Sequence, residues 1–526
     1  MGTSFGNSSE YELKAVIDIG STSIRMVMAE VHPEKEVRIL ESLTQSVSLG
    51  RDTFTKRRIS SSSIVLCIDA LRDFLAVAKN YQLNIEKDIR AVATSAVSEA
   101  SNHLEFMDRI FTATGIEINL ISGAEVNRLT YFAIQPYLNK HEILRKQHAL
   151  FIEMGGGSTE LIGLKNGKIS FSHTHRLGFY RLSESVDKTG MELRPSQELL
   201  HMELHTLVRN FQEQSATTVQ RPVLVFMGGE ARLAAQLSGK DWKVDAITSL
   251  RYGEVEKLIQ RIQKLRPEQI ATRYQIAYEE AQTLEAAWSS YLQIAKEFGV
   301  KRIYICNATM RDGLLSELRA SSTWQDDFIA HVLHSAKNVA RRYQVDMNHA
   351  RHVCDHALLL FEALKKEHQL GVREQVFLQV ASWLHDVGHF VDTTAHHKHS
   401  RYLIENSQIF GLSPQEIKLC AMIARYHRGA TPKNSHADYQ ELPRRLRRVV
   451  NNLASILRIA EALDASHSQR VTIHRIEVKE DRLELLHACD KSVAPEEMVL
   501  ERLGKMIRQV YGRSVILKKR KLRKSV

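Results

Sequence analysis

Two short stretches of this chain bring acids, glycines and hydroxyls together at spacings that suit phosphate chemistry. The first is Phe151-Ile152-Glu153-Met154-Gly155-Gly156-Gly157-Ser158-Thr159-Glu160-Leu161. An apolar run from Ala149 to Ile152 delivers the Glu153 carboxylate to a strand end. Gly155, Gly156 and Gly157 then allow a tight turn whose bare N–H groups can approach a ligand. Ser158 and Thr159 add hydroxyls, Glu160 adds a second acid, and Leu161 to Leu164 resumes an apolar strand. Such a loop can hold a phosphate and, through its acids, a Mg²⁺ ion. Taken alone, the stretch is equally well read as a plain hairpin turn.

A second copy strengthens the chemical reading. Ala15-Val16-Ile17-Asp18-Ile19-Gly20-Ser21-Thr22-Ser23-Ile24 follows the same plan, with Asp18 matching Glu153 (153 − 18 = 135) and Gly20 matching Gly155 (155 − 20 = 135). Two copies at one offset predict two like-folded lobes, each offering a loop to a shared cleft. Asp18 and Glu153 are the candidate metal ligands. The backbone from Gly20 through Ser21, Thr22 and Ser23, and that from Gly155 to Thr159, form the candidate phosphate cradle.

The elements that must position these loops alternate between strand and helix. Strand patterns are expected at 14–31, 37–49, 90–95 and 116–121, with helices at 60–81 (capped by Ser61, Ser62 or Ser63) and 99–114, and a further helix that has Glu125 in its first turn. The second half repeats the alternation: a helix over 196–211, a third strand–glycine unit at Val223 to Gly229, a long helix over 277–298, and a strand at 302–305. Gly228 and Gly229 either border the cleft or pack closely in a turn. From about residue 324 the pattern becomes helical and rich in histidine, and short strand patterns return past Val471. The expected domains are therefore 11–135 (lobe I), 136–320 (lobe II), 324–470 (all-helical) and 471–526 (a small α+β segment with a basic tail).

Composition narrows the class. A chain of 526 residues is too long for a single core. Its 43% hydrophobic and 25% charged content is that of a globular protein, and no run approaches the ~18 apolar residues of a membrane span. Residues 1–10 carry no basic-then-apolar signal, and the five cysteines are scattered, so a reducing cytoplasm is expected. A net charge of +11 calls for an anionic partner. No nucleic-acid-binding signature accompanies it, so nucleic acid is not expected and a phosphate polymer fits the field.

Taken together the motifs resemble the Ppx/GppA phosphatases, the exopolyphosphatases and guanosine pentaphosphate phosphohydrolases. The likeness is carried by Asp18–Ser23, Ala93-Thr94-Ser95-Ala96-Val97, Ile121-Ser122-Gly123-Ala124-Glu125, the Glu153–Leu161 loop, Arg176-Leu177-Gly178 and Arg311-Asp312-Gly313-Leu314-Leu315. The resemblance implies an α/β fold of duplicated actin/Hsp70/sugar-kinase-like (ribonuclease H-like) lobes, followed by an all-α domain. It implies Glu125 as the group that orients or deprotonates the attacking water, Glu160 as the acid that places the water or the metal, and Arg176 as a phosphate contact. It also implies Mg²⁺, a homodimer, and inorganic polyphosphate or guanosine pentaphosphate as substrate. Several positions depart from the family pattern: Glu153 for Asp, Thr22 for Asn, Glu230 for Thr, Ser48 for Arg, and Ser98 for a phosphate-binding Arg. Arg25, Arg51 and Arg176 are the available replacements for that lost clamp.

The helical region matches a second pattern. His349, His385-Asp386 and Asp464 follow the order H…HD…D of HD phosphohydrolases, which implies a second divalent metal site, with His396, His397, His399 and His427 as further candidates. A helical scaffold without metal is the competing reading, and His356 is expected on a helix surface. The leading expectation is an exopolyphosphatase working in the interlobe cleft. The alternatives are a guanosine pentaphosphate 5′-phosphohydrolase, a weakly active binding regulator, and catalysis at the helical site.

Overall fold

The computed structural model describes residues 11–32, 37–180, 202, 205–206, 208–209, 221–238, 247–319, 324–489 and 491–519. The chain divides into two compact units, Met1–Thr323 and Trp324–Val526.

The first unit is built on two sheets of the same plan. In the first, β1 (Glu12–Ile19), β2 (Ser23–Val31), β3 (Arg38–Ser46), β4 (Ile89–Ala93) and β5 (Ile118–Leu120) lie in the order β3-β2-β1-β4-β5. The β1/β2 and β2/β3 pairs are antiparallel, whereas β1/β4 and β4/β5 are parallel. In the second, β6 (His148–Met154), β7 (Thr159–Lys165), β8 (Lys168–His175), β9 (Val223–Met227), β10 (Thr248–Arg251) and β11 (Arg302–Ile305) run β10-β11-β9-β6-β7-β8. Counted from the other edge, β8-β7-β6-β9-β11 repeat the antiparallel and parallel pattern of β3-β2-β1-β4-β5, and β10 is added antiparallel beyond β11. The duplication expected from the 135-residue offset is thus a duplicated sheet, the actin-like arrangement. Ala15, Val16, Ile17 and Ile19 of β1 and Leu150, Phe151 and Ile152 of β6 are buried. Near-continuous apolar runs suit strands covered on both faces.

The helix Ser61–Asn80 is capped by Ser60, whose Oγ accepts from the Ser63 N–H at 3.2 Å, one residue ahead of the serines expected to do so. The helix His103–Thr114 starts later than the predicted residue 99, after a short turn at Ser95–Ser98. The predicted helix over 196–211 lies largely outside the described residues; the members that are described (202, 205–206, 208–209) are helical. The expected lobe division at 135/136 falls inside one continuous helix, Gly123–Lys140. That helix crosses the helix Met310–Arg319 so closely that a Cβ at Gly313 would sit 2.0 Å from the Leu129 carbonyl oxygen. Only glycine permits this crossing, which sets the head of the second helix beside β1.

In the second unit, the helices Met347–Ala363, Val372–Leu384, His396–Glu405, Pro414–Arg425 and Arg444–Ala462 precede a three-stranded sheet of β12 (Ile473–Val478), β13 (Arg482–His487) and β14 (Ser514–Lys519). The described part of 471–526 therefore belongs to the same compact unit as the helices. Lys518 and Lys519 of the predicted tail lie in β14, where the Lys518 ammonium sits 2.6 Å from Glu484. His356 is a correction: it is buried at 3% exposure, not on a surface. Its Nδ1 donates to the His352 carbonyl at 2.7 Å and its Nε2 accepts from the Ile473 N–H at 3.1 Å, which ties the helix to the sheet.

Candidate active site

Both glycine turns face one cavity of about 340 Å³ in the first unit. Each turn follows an antiparallel hairpin, and the register places Asp18 opposite Arg25 and Glu153 opposite Glu160. The lining includes Asp18, Gly20, Ser21, Thr22 and Ser23 from one hairpin, and Glu153, Gly155, Gly156, Gly157, Ser158 and Glu160 from the other. Gly228 and Gly229 also border it, and Gly228 adopts φ +99°, a left-handed conformation that favours glycine.

Three predicted site residues are placed elsewhere. Thr159 is fully buried and donates from Oγ1 to the Leu177 carbonyl at 2.5 Å, so it pins the loop from behind. Arg176 is 81% exposed, with its nearest acid, Glu99, at 3.9 Å. It does not line the cavity, because the motif that contains it contributes through Gly178 instead. A Cβ at Gly178 would meet the Gly156 carbonyl and the Gly157 nitrogen at 2.5 Å. Glu125 closes a capping box: its Oε2 accepts from the Ser122 N–H at 2.8 Å and from Ser122 Oγ at 3.0 Å. Glu125 is not among the lining residues, although its neighbour Val126 is.

Three guanidiniums line the cavity: Arg25, Arg232 and Arg311. Of the three proposed replacements for the family clamp, Arg25 is thus the one in place; Arg51 is exposed, like Ser98 itself. Sequence reasoning missed Arg232 and gave Arg311 no role. Arg232 sits in the first turn of the helix Gly229–Leu237, directly after the third strand–glycine unit, and that position was the available signal. Arg311 Nη1 donates to Asp18 Oδ2 at 3.1 Å. The heads of the helices Gly229–Leu237 and Met310–Arg319 both border the cavity, so the positive ends of their dipoles favour an anion there.

The acids are set apart by their surroundings. Burial pushes Glu153 up to about 7 against the Arg232 charge, with Asp18 adding to the rise. Burial likewise pushes Glu160 up to about 8, although Ser158 Oγ donates to its Oε1 at 2.6 Å. Five lining acids (Asp18, Glu153, Glu160, Glu230, Glu280) share the cavity with three guanidiniums, and burial holds Glu153, Glu160 and Glu230 toward their neutral forms. Glu153 Oε2 is buried and has no hydrogen-bond partner, which fits an oxygen donor to a hard cation. Asp18 fits less well as a direct ligand, because one of its oxygens is committed to Arg311.

The sequence profile of the Ppx/GppA phosphatase family matches residues 11–321, and that of Ppx/GppA phosphatase domain III matches residues 333–503. The chain belongs to the Ppx/GppA phosphatase family. Ppx/GppA proteins are phosphohydrolases, and so is this chain. An exopolyphosphatase from Cytophaga hutchinsonii is similar at 18% identity and a TM-score of 0.50, covering 59% of this chain and 98% of its own. The Aquifex aeolicus Ppx/GppA family member is similar at 20% identity and a TM-score of 0.47, covering 59% of this chain and 98% of its own. Among the described residues no helix is long and apolar enough to cross a membrane.

In the second unit the predicted histidines and aspartate converge. His349 Nε2 lies 3.3 Å from His385 Nε2, and both approach Asp386 Oδ2, at 3.7 and 3.6 Å. Asp464 stands behind this group: its Oδ2 accepts from His349 Nδ1 at 2.8 Å, and both its oxygens accept from Gln469. It orients the imidazole, as outer-shell carboxylates do. Glu461, missed in the sequence, takes the inner position, with Oε2 at 3.1 Å from His349 and 3.0 Å from His385.

Proposed function

We propose that the cleft of the first unit removes the terminal phosphate of inorganic polyphosphate by attack of water. The observation that carries this reading is the single cavity shared by both glycine turns, with two helix heads, three guanidiniums and an unpartnered buried carboxylate oxygen around it. The glycine-turn N–H groups, Ser21, Ser23 and Ser158 would hold the chain end. Arg25, Arg232 and Arg311 would neutralise its oxygens. Catalysis of this kind is positioning plus charge stabilisation of an in-line displacement. Mg²⁺, held by Glu153 with Asp18 nearby, would supply further charge on the transferred phosphoryl group.

The water oxygen bonds to the end phosphorus as the bridging P–O bond breaks; orthophosphate leaves, and the shortened chain keeps the bridging oxygen. In this reading Glu125 accepts the proton. Glu160, which holds its own proton up to about pH 8, fixes the water by hydrogen bonding. Glu125 spends one oxygen on Ser122, and catalytic contacts commonly tighten only with substrate bound.

The +11 net charge supports a polymer over a nucleotide. Guanosine pentaphosphate remains the second substrate reading, since its 5′ terminus presents the same anhydride. The test is phosphate release from long-chain polyphosphate and from guanosine pentaphosphate by one preparation, with and without Mg²⁺. Faster turnover of polyphosphate is expected. Preference for the nucleotide would reverse the substrate assignment, and binding of either without turnover would make the cleft a binding site.

A further inference from the structure

One face of the helix Arg444–Ala462 borders a cavity of about 820 Å³ in the second unit, and none of the clustered histidines lines it. Arg444, Arg447, Arg448 and Asn451 reach this cavity at the i, i+3, i+4, i+7 spacing of a single helix face, and Asn452 joins them. Tyr439 and the end of the helix Lys505–Tyr511, through Val510 and Tyr511, complete the wall.

The guanidiniums stand where the helix itself gains nothing from them. Its N-cap is Pro443, which supplies no side-chain cap, and its first turn holds no acid. Cations at a helix head oppose the dipole, and like charges at i, i+3 and i, i+4 repel. Among the described residues no acid pairs with Arg444, Arg447 or Arg448. Arg447 Nη1 reaches only Asn434 Oδ1, at 3.5 Å, and Arg448 Nη2 donates to the His368 carbonyl at 3.1 Å. The one acid in the lining, Glu367, is held by Arg513 at 3.2 Å.

The amides point to the same kind of ligand. Asn452 is only 6% exposed and lines the cavity, yet among the described residues its side chain has no hydrogen-bond partner. Asn451 Oδ1 accepts from Tyr439 Oη at 2.9 Å, which leaves the NH₂ half of that amide for the cavity. Arg447 Nε is buried without an acceptor. Guanidiniums and amide NH₂ groups are donors, so a wall this rich in N–H suits an oxyanion.

We propose that this cavity binds a diphosphate group, gripped by Arg444, Arg447 and Arg448 and by the amides of Asn451 and Asn452. The helix rises about 6 Å between Arg444 and Arg448, the breadth of two adjoining phosphates. The space beside Val510 and Tyr511 leaves room for an organic group on that diphosphate. The inference stands on the second unit alone and is independent of the chemistry of the cleft.

The test is calorimetric titration of the full-length protein with pyrophosphate and with ADP, with amide exchange mapping where each sits. Slower exchange over 444–452 and 509–511 is expected. Pyrophosphate at least as tight as ADP would assign the free diphosphate, and tighter ADP would assign the organic ester. Replacing Arg444 and Arg447 together by Gln should weaken this binding at least about tenfold. The same variant should melt no lower than wild type, because like charges leave the helix head. Residues kept for the fold alone would do the reverse, with early melting and unchanged affinity. Asn452→Asp, which sets an acid of the same shape among the donors, is the second probe and should abolish the protection. Protection confined to the glycine turns of the cleft would overturn the proposal, as would affinity unchanged in both variants or no binding of either ligand.

Discussion

Arg311 donates from Nη1 to Asp18 Oδ2 across 3.1 Å, joining two residues 293 positions apart at the floor of the cavity. Both side chains are mostly enclosed, at 11% and 17% exposure. Removing one partner of such a pair strands the other. Arg311→Ala is expected to cost about 3 kcal/mol in guanidinium denaturation, the low end for a buried pair because neither group is fully shielded. Asp18→Asn in the same chain should restore part of that loss. A double variant whose loss equals the sum of the two single losses would show that the pair contributes nothing.

The two acids assigned to the water separate by different readouts. Glu125→Ala removes the reciprocal bond of a capping box and is expected to cost about 1 kcal/mol of stability. It should also lower kcat for phosphate release by about 10²–10⁴ at unchanged polyphosphate affinity. Glu160→Gln keeps the acceptor for Ser158 Oγ and relieves a buried acid. Its kcat should fall while its melting temperature holds or rises. Intact turnover in Glu125→Ala would leave that residue a helix cap and nothing more.

Gly178 and Arg176 give a contrast within one motif. Phe179 and Tyr180 N–H donate to the Gly155 and Gly156 carbonyls at 3.1 and 3.0 Å, so this segment lies directly on the glycine turn. A methyl at 178 would strike backbone at 2.5 Å. Gly178→Ala should displace the turn and reduce kcat/KM by at least about tenfold, a loss of about 1.4 kcal/mol in transition-state binding. Arg176→Ala should change it less than about twofold, since exposed charge pairs contribute little. Steady-state kinetics on both variants decides the point.

His356 predicts a pH dependence. Burial, with the His352 charge adding to it, lowers its proton affinity from 6.5 to about 4. The unfolded chain takes up this proton below about pH 6.5, whereas the folded chain resists until about pH 4. The contribution is therefore complete above pH 6.5 and is lost as pH falls from 6.5 to 4, with a ceiling of roughly 3 kcal/mol. Amide exchange at Ile473, whose N–H donates to His356 Nε2, should accelerate across that window in the full chain. In His356→Gln the slope should flatten; an unchanged slope would assign it to other groups.

The strands, the glycine turns and the acids of both hairpins were legible because each is local: an apolar run, a turn and a carboxylate lie within a dozen residues. What stayed hidden depends on distant partners. Nothing near Arg311 in the sequence shows that Gly313 lets its helix close on Leu129, and so nothing shows that the guanidinium reaches Asp18. Arg176 looked like a phosphate contact because motif position says which residue is present, not where its side chain turns. His356 looked superficial because one helix face gives no sign that β12 will cover it. Asp464 was legible as a member of the histidine group, but its inner or outer place depends on Glu461 one turn before it.

The hairpins agree in backbone register and disagree at one side chain. Counting 135 onward from Arg25 reaches Glu160 (25 + 135 = 160), so equivalent corners of the two sheets present a fixed cation and an acid. A symmetric doorway would admit a linear anion from either wall alike. A fixed charge at one corner and a proton-bearing acid at the other give the opening a handedness, so the polymer proposed as substrate would have one way to seat its last unit and one direction in which to advance the next.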